Sequence, residues 1–135
     1  MEIRQTILQA IEAAAGELVD LARRIHATPE IAFQEVQASQ WLCDALERHA
    51  FAVQRDVADL PTAFRAERAG GPGGPSVAFL AEYDALPEIG HACGHNLICT
   101  AALGAGIGLA AVASKLAGKV FVLGRRPRKA GAEKC

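Results

Sequence analysis

Four side chains that commonly bind metal ions or move protons fall within twelve positions of the sequence: Asp84, His91, Cys93 and His95. Thiolate, imidazole and carboxylate groups are the usual ligands of zinc and related divalent ions. Gly94 stands between Cys93 and His95, and it permits the turned backbone that two ligands so close in sequence would need. Any one of these residues alone is more simply a buried thiol or a hydrogen-bonded loop residue. The cluster as a whole predicts a metal site.

Three helices and four strands are predicted to position this cluster, in the order α-α-β-β-β-α-β. The first two helices follow from apolar spacings of three and four, and the third follows from a run rich in small residues. They cover residues 3–26, 33–49 and 97–117. The strands are short apolar or alternating runs, and they cover residues 51–55, 62–67, 76–82 and 119–123. This order favours a layered α/β domain.

The strand over residues 76–82 is predicted to lead to the site. It is apolar enough to indicate burial on both faces, and the Gly/Pro-rich segment 70–75 before it is predicted to be only a turn or loop. Ligands of α/β sheets bind at the carboxyl ends of strands, which is where Asp84 falls. The loop that carries the other three residues then leads into a helix, so two segments are expected to converge on one crevice.

Composition excludes several classes of protein. With 51% hydrophobic residues the chain has material for a core, which excludes whole-chain disorder. The formal charge of −1 divides unevenly: residues 125–135 carry five basic residues and one acidic residue, so residues 1–124 carry −5. An acidic body argues against nucleic acid as a partner. Four cysteines are too few for a disulfide scaffold, and no signal peptide is visible, so a cytoplasmic location is expected.

One apolar segment raises the question of a membrane. Residues 89–114 contain no Asp, Glu, Lys or Arg, and such a run is long enough to cross a bilayer. The segment nevertheless contains two histidines, and it is rich in Ala and Gly rather than in Leu, Ile and Phe. We therefore expect a buried helix and no membrane partner.

The motifs around the cluster resemble those of a known enzyme family. Residues 82–87, Glu-Tyr-Asp-Ala-Leu-Pro, and residues 90–97, Gly-His-Ala-Cys-Gly-His-Asn-Leu, are similar to the metal-dependent amidohydrolase and aminoacylase peptidases of the carboxypeptidase G and N-acyl amino acid hydrolase type. The second motif most resembles the branch with p-aminobenzoyl-glutamate hydrolase and the Xaa-Arg or β-alanyl-lysine dipeptidases. Residues 26–35, with His26, Pro29, Glu30, Phe33 and Glu35, resemble the family's N-terminal signature. The resemblance covers about residues 1–124.

The resemblance implies a fold and a set of roles. The fold would be the N-terminal part of a layered α/β zinc-peptidase catalytic domain, truncated. Cys93 and His95 match ligands of a two-metal site that holds zinc or manganese. Asp84 matches the carboxylate that orients a ligand or a metal-bound water. His91 matches a position beside the ligands whose contact with the metal is less certain in the family. Pro29 and Glu30 match scaffold positions.

The activity implied by the resemblance is metal-dependent hydrolysis of an amide bond. The substrate would be a small molecule, an N-acyl amino acid or a dipeptide, and members of the family form homodimers through a domain that is missing here. The family's general-base glutamate stands in a Glu-Glu-Gly-Gly motif after the strand that matches residues 119–123. Here residues 125–135 are a basic segment without that motif. We therefore expect weak or absent metal binding and negligible activity from these 135 residues.

Residues 125–135 are interpreted as the product of a frameshift. If the third codon positions after Gly124 are G and Arg128 is encoded by AGG, the frame that begins at each third base encodes Ala-Ala-Glu-Glu-Gly-Gly-Gly-Gly, close to what the family would carry. A natural basic tail is the alternative. For the whole chain, three other functions stay open: a non-enzymatic module that pairs with a complete subunit, a small membrane-associated protein, and a thiol-redox role for Cys93 with Cys99.

Overall fold

Helices and strands follow one another in the computed structural model in the predicted order. The structure describes residues 2–124. The helices are α1 (Ile3–Ala27), α2 (Val36–Arg48) and α3 (His95–Ala110). The strands are β1 (Ala52–Arg55), β2 (Phe64–Ala69), β3 (Gly71–Ala81) and β4 (Ala117–Gly124). The expected α/β fold is confirmed for this part of the chain.

The four strands form one mixed sheet in the order β1-β2-β4-β3. β3 and β4 are parallel and are connected through α3, whereas β2 runs antiparallel to both β1 and β4. Ala81 at the end of β3 pairs with Gly124 at the end of β4, so both strands finish at the same edge of the sheet. The segment that carries Asp84 leaves the sheet at this edge, as the strand-end argument predicts.

The core lies between the sheet and the helices. Its largest fully buried aliphatic side chains come from all three helices and from β4: Ile25, Leu42, Leu46, Leu103 and Val122. Glycines in α3 allow close packing, because a Cβ at Gly106 would crowd Val122 and one at Gly108 would crowd Ile11 of α1. The uncharged run is thus a buried helix, as expected. No helix within residues 2–124 is long and apolar enough to cross a membrane.

The prediction that residues 70–75 form only a turn or loop is wrong, because β3 begins at Gly71. Gly71 pairs with Ala117 and Ser76 with Lys119, so β3 bulges between these two pairs. Gly73 and Gly74 in the bulge both have φ of 75°, a conformation that glycine adopts without steric cost. The Gly/Pro run therefore marks an irregular strand.

Burial of β3 on both faces is also wrong. Val77 is 39% exposed and Leu80 is 47% exposed. β3 is the last strand of the sheet among the described residues, and it pairs only with β4. The apolar sequence suggested a central strand, but strand order depends on pairings between distant segments, which composition does not reveal.

Two helices, α2 and α3, have boundaries that differ from the prediction by more than one residue. Helix α2 begins at Val36 because Phe33 has φ of 69°, which lies outside the helical region. Helix α3 begins at His95 and ends at Ala110, seven residues before the predicted end. The chain turns over Ala113–Lys115 so that β4 can begin at Ala117, opposite Gly71. An Ala- and Gly-rich run has no breaker that would reveal this early end.

Candidate active site

Asp84 and His95 meet where the segment after β3 passes the beginning of α3. His95 is the first residue of α3, and Gly94 before it has φ of 79°, which lets the loop turn into the helix. The Nδ1 atom of His95 lies 2.9 Å from the Asp84 backbone oxygen and 2.9 Å from the Asp84 carboxylate oxygen Oδ1. Since a carbonyl oxygen can only accept, Nδ1 carries the proton. Nε2 is therefore the nitrogen that could bind a metal ion.

Glu82 lies on the other side of the same imidazole ring. Its Oε2 atom is 3.5 Å from Nε2 of His95, and its side chain is 27% exposed. Glu82 belongs to the motif that carries the family resemblance, yet it is not among the predicted site residues. Its spacing of two from Asp84 at a strand end is the signal that could have identified it, because residues two apart in extended chain point to the same side.

His91 is buried beside this pair, and neither of its ring nitrogens has a side-chain hydrogen-bond partner within residues 2–124. Its ring centroid lies 6.4 Å from that of His26. Burial lowers the pKa of His91, and the neighbouring His26 and His95 lower it further. The lowered pKa favours the neutral form of the ring, in which one nitrogen has a free lone pair.

Cys93 lies in the loop before α3 and is partly buried. The structure records its sulfur as disulfide-bonded, so the predicted role as a metal ligand requires the reduced thiol. Within residues 2–124, no three His, Cys, Asp or Glu side chains converge closely enough to hold a metal ion. The structure places Asp84 and Glu82 each next to His95, but it does not bring Cys93 into a three-ligand group with any of them.

The other two cysteines of the described chain are core thiols, as expected. Cys43 in α2 and Cys99 in α3 are fully buried and not disulfide-bonded. Burial raises the pKa of Cys43 to about 11 and the pKa of Cys99 to about 12, so neither is a reactive thiolate. The alternative of a Cys93–Cys99 redox pair is therefore not supported, because Cys99 remains a free thiol.

Glu30 acts as a scaffold residue, as the resemblance implies. Its carboxylate accepts hydrogen bonds from the backbone of Gln37 at 2.9 Å and of Ala38 at 2.7 Å, and so caps the N-terminus of α2. Its backbone carbonyl accepts a hydrogen bond from the Ala85 amide at 2.7 Å. Glu30 thereby fastens the segment after Asp84 to the beginning of α2.

The types of side chain at the site are those that bind divalent metal ions. Too few of them converge within residues 2–124 to form a complete metal site. His95 presents Nε2 with its other nitrogen held by Asp84, which is the arrangement usual for metal-bound histidines. Carboxylate, imidazole and thiol groups lie on one short stretch of chain. Sites with full affinity usually have three or four protein ligands, which the described residues do not bring together.

Comparison with known proteins shows what the whole chain is similar to. The chain is 41% identical over 145 residues to the Xaa-Arg dipeptidase of Mus musculus, with 98% of this chain and 33% of that protein covered. It is 40% identical over 123 residues to one of the subunits of p-aminobenzoyl-glutamate hydrolase from Escherichia coli, with 78% and 25% covered. Its fold matches a dinuclear metal-binding peptidase of the M20 family from Bacillus subtilis with a TM-score of 0.78 at 28% identity, covering 90% of this chain and 38% of that one. No family model matches the sequence.

The matches cover only part of each relative's length. The chain spans one third or less of the length of the two curated relatives. Residues 125–135, with the frameshift interpretation, lie outside the described residues, and that interpretation stays a prediction. By sequence and by fold, the chain is a relative of the metal-dependent M20 peptidases and amidohydrolases.

Proposed function

We propose that Cys93, His95, Asp84 and Glu82 form part of a divalent-metal centre that hydrolyses an amide bond in an N-acyl amino acid or a dipeptide. The observation that carries this proposal is the orientation of His95, whose Nδ1 donates to Asp84 and whose Nε2 faces the Glu82 carboxylate. When bound, the metal would polarise the scissile carbonyl and lower the pKa of a water molecule.

Each residue has a distinct part in this proposal. His95 through Nε2 and Cys93 as a thiolate would be ligands, and this pair of softer donors favours zinc over manganese. Asp84 holds His95 in the tautomer that can bind metal. The negative charges of Asp84 and Glu82 would offset the charge of the cation in a partly buried setting. His91 lies buried next to His95, where its lowered pKa favours the neutral ring.

The substrate class is supported by the relatives. Their names specify a dipeptide ending in arginine and a p-aminobenzoyl-glutamate, and each contains an amide bond next to an amino acid carboxylate. We extend this class to a protein that carries the complete site. For the 135-residue chain we propose weak metal binding and negligible hydrolysis, because the described residues do not assemble three ligands.

Calorimetric titration of the reduced chain with Zn²⁺ tests the metal centre. We expect weak binding that both His95→Ala and Cys93→Ser reduce at least about tenfold. His49→Ala is the matched control, because His49 pairs with Glu17 in another part of the fold. The proposed centre is wrong if His95→Ala binds Zn²⁺ as tightly as the unmodified chain does. Co²⁺ in place of Zn²⁺ would report the thiolate through its charge-transfer absorption.

A further inference from the structure

Three buried polar groups form a chain beneath the candidate site. Glu35 is 1% exposed, and its Oε2 atom accepts a hydrogen bond of 3.4 Å from the Thr62 hydroxyl. The backbone oxygen of Thr62 accepts a hydrogen bond from the hydroxyl of Tyr83, which is also 1% exposed. Tyr83 stands between Glu82 and Asp84, the two carboxylates that flank His95. The chain therefore runs from the beginning of α2 to the residues around His95.

The burial of the Glu35 carboxyl group disfavours the folded state. Its second carboxyl oxygen, Oε1, has no hydrogen-bond partner among residues 2–124, and leaving a buried oxygen unpaired disfavours the folded state. Burial, together with the negative charge of Asp84, raises the pKa of Glu35 to about 7. An apolar side chain of similar volume would avoid this cost. The burial of Glu35 thus needs a reason other than stability.

Capping of helix α2 does not supply that reason. Glu35 occupies the N-cap position of α2, but its side chain makes no capping hydrogen bond there. Glu30 provides the cap from outside the helix. The Glu35 side chain instead contacts Thr62 and lies close to Tyr83 and Asp84.

We propose that Glu35 is a positioning residue for the candidate site, which fixes Tyr83 through Thr62 and so holds Glu82 and Asp84 around His95. The proposal concerns the site of the proposed function, and its functional meaning rests on that function. The geometry itself can be tested without metal, so the two can fail separately.

The test is the ¹⁵N NMR signature of the His95 ring in the reduced, metal-free chain. In Glu35→Ala we expect the Nδ1–H signal of His95 to shift and broaden, because the Glu82–Asp84 segment loses its support. In Glu35→Gln we expect the unmodified signal, because the amide oxygen can still accept from Thr62. Zn²⁺ affinity, measured separately, should fall about tenfold in Glu35→Ala and recover in Glu35→Gln.

Leu46→Ala is the control for a general loss of core packing, because Leu46 is also fully buried in α2 and is not a member of the polar chain. An equal displacement of the His95 signal in Leu46→Ala would overturn the proposal, as would an unchanged signal in folded Glu35→Ala. If Glu35→Ala does not fold, Thr62→Val decides. We expect Thr62→Val to shift the His95 signal and Glu35→Gln to leave it unchanged. An unchanged His95 signal in Thr62→Val would refute the proposed link from Glu35 through Thr62 to Tyr83.

Discussion

The Nδ1 atom of His95 lies 2.9 Å from two different oxygens of Asp84, one in the carboxylate and one in the backbone. The backbone oxygen alone is enough to keep the proton on Nδ1, because it can only accept. The carboxylate adds negative charge, which makes Nε2 a better electron-pair donor. Asp84 therefore acts on His95 in two ways that a substitution can separate.

Asp84→Asn should keep the tautomer of His95 and weaken metal binding. The backbone oxygen still holds the Nδ1 proton, but the negative charge is lost, so we expect Zn²⁺ affinity to fall about 10-fold to 100-fold. Calorimetry measures the affinity and ¹⁵N NMR the tautomer. Asp44→Asn is the control, because Asp44 lies on α2 and pairs with Arg55 at the end of β1. Unchanged affinity in Asp84→Asn would show that the carboxylate does not contribute.

Glu35 should make the folded chain less stable as the pH rises. Its pKa is about 7 in the folded state and 4.5 as the ordinary value, so the folded state binds the proton more tightly. Below pH 4.5 there is no penalty, and the penalty grows as the pH rises to about 7, toward about 3 kcal/mol. Urea unfolding at several pH values measures this. Glu35→Gln should remove that decline, and parallel pH profiles of the two proteins would contradict the assignment.

Gly118→Ala should strongly destabilise the fold. Gly118 has φ of 107°, and a Cβ there would overlap the carbonyl oxygen of Pro75 in the bulge of β3. We expect a loss of about 3 kcal/mol or more in the free energy of unfolding, measured in urea. Gly16→Ala is the matched control, because Gly16 lies in α1 with open space around it. This second variant should gain about 0.5–1 kcal/mol.

The coding DNA tests the interpretation of residues 125–135. We expect a single-base slip near codon 124 whose correction opens a frame encoding Glu-Glu-Gly-Gly and further sequence of the M20 type. The absence of any such frame would contradict the frameshift. A chain expressed from the corrected frame should hydrolyse dipeptides or N-acyl amino acids, whereas the 135-residue chain should not. Metal-dependent turnover by the pure 135-residue chain would refute the second expectation.

The order of elements could be predicted because it depends on local patterns. The period of apolar residues in α1 and the alternation in the strands reflect which faces must be buried. Residues 70–75 misled the prediction, because glycine and proline indicate a break in regular structure without saying whether it is a turn or a bulge. The exposure of Val77 and Leu80 could not be predicted, because it depends on the place of β3 in the sheet.

The sequence by itself determined the α/β class, the chemistry available near Asp84 and His95, and the relation to the metal-dependent amidohydrolases, because residue types and short spacings carry that information. Only the tertiary structure decided that Nδ1 of His95 faces Asp84, that Glu82 flanks the same ring, and that Glu35 is buried beneath them. Hydrogen-bond direction and burial arise from contacts between segments far apart in the chain. Glu35 and Tyr83, for example, are 48 positions apart in sequence and are linked through Thr62.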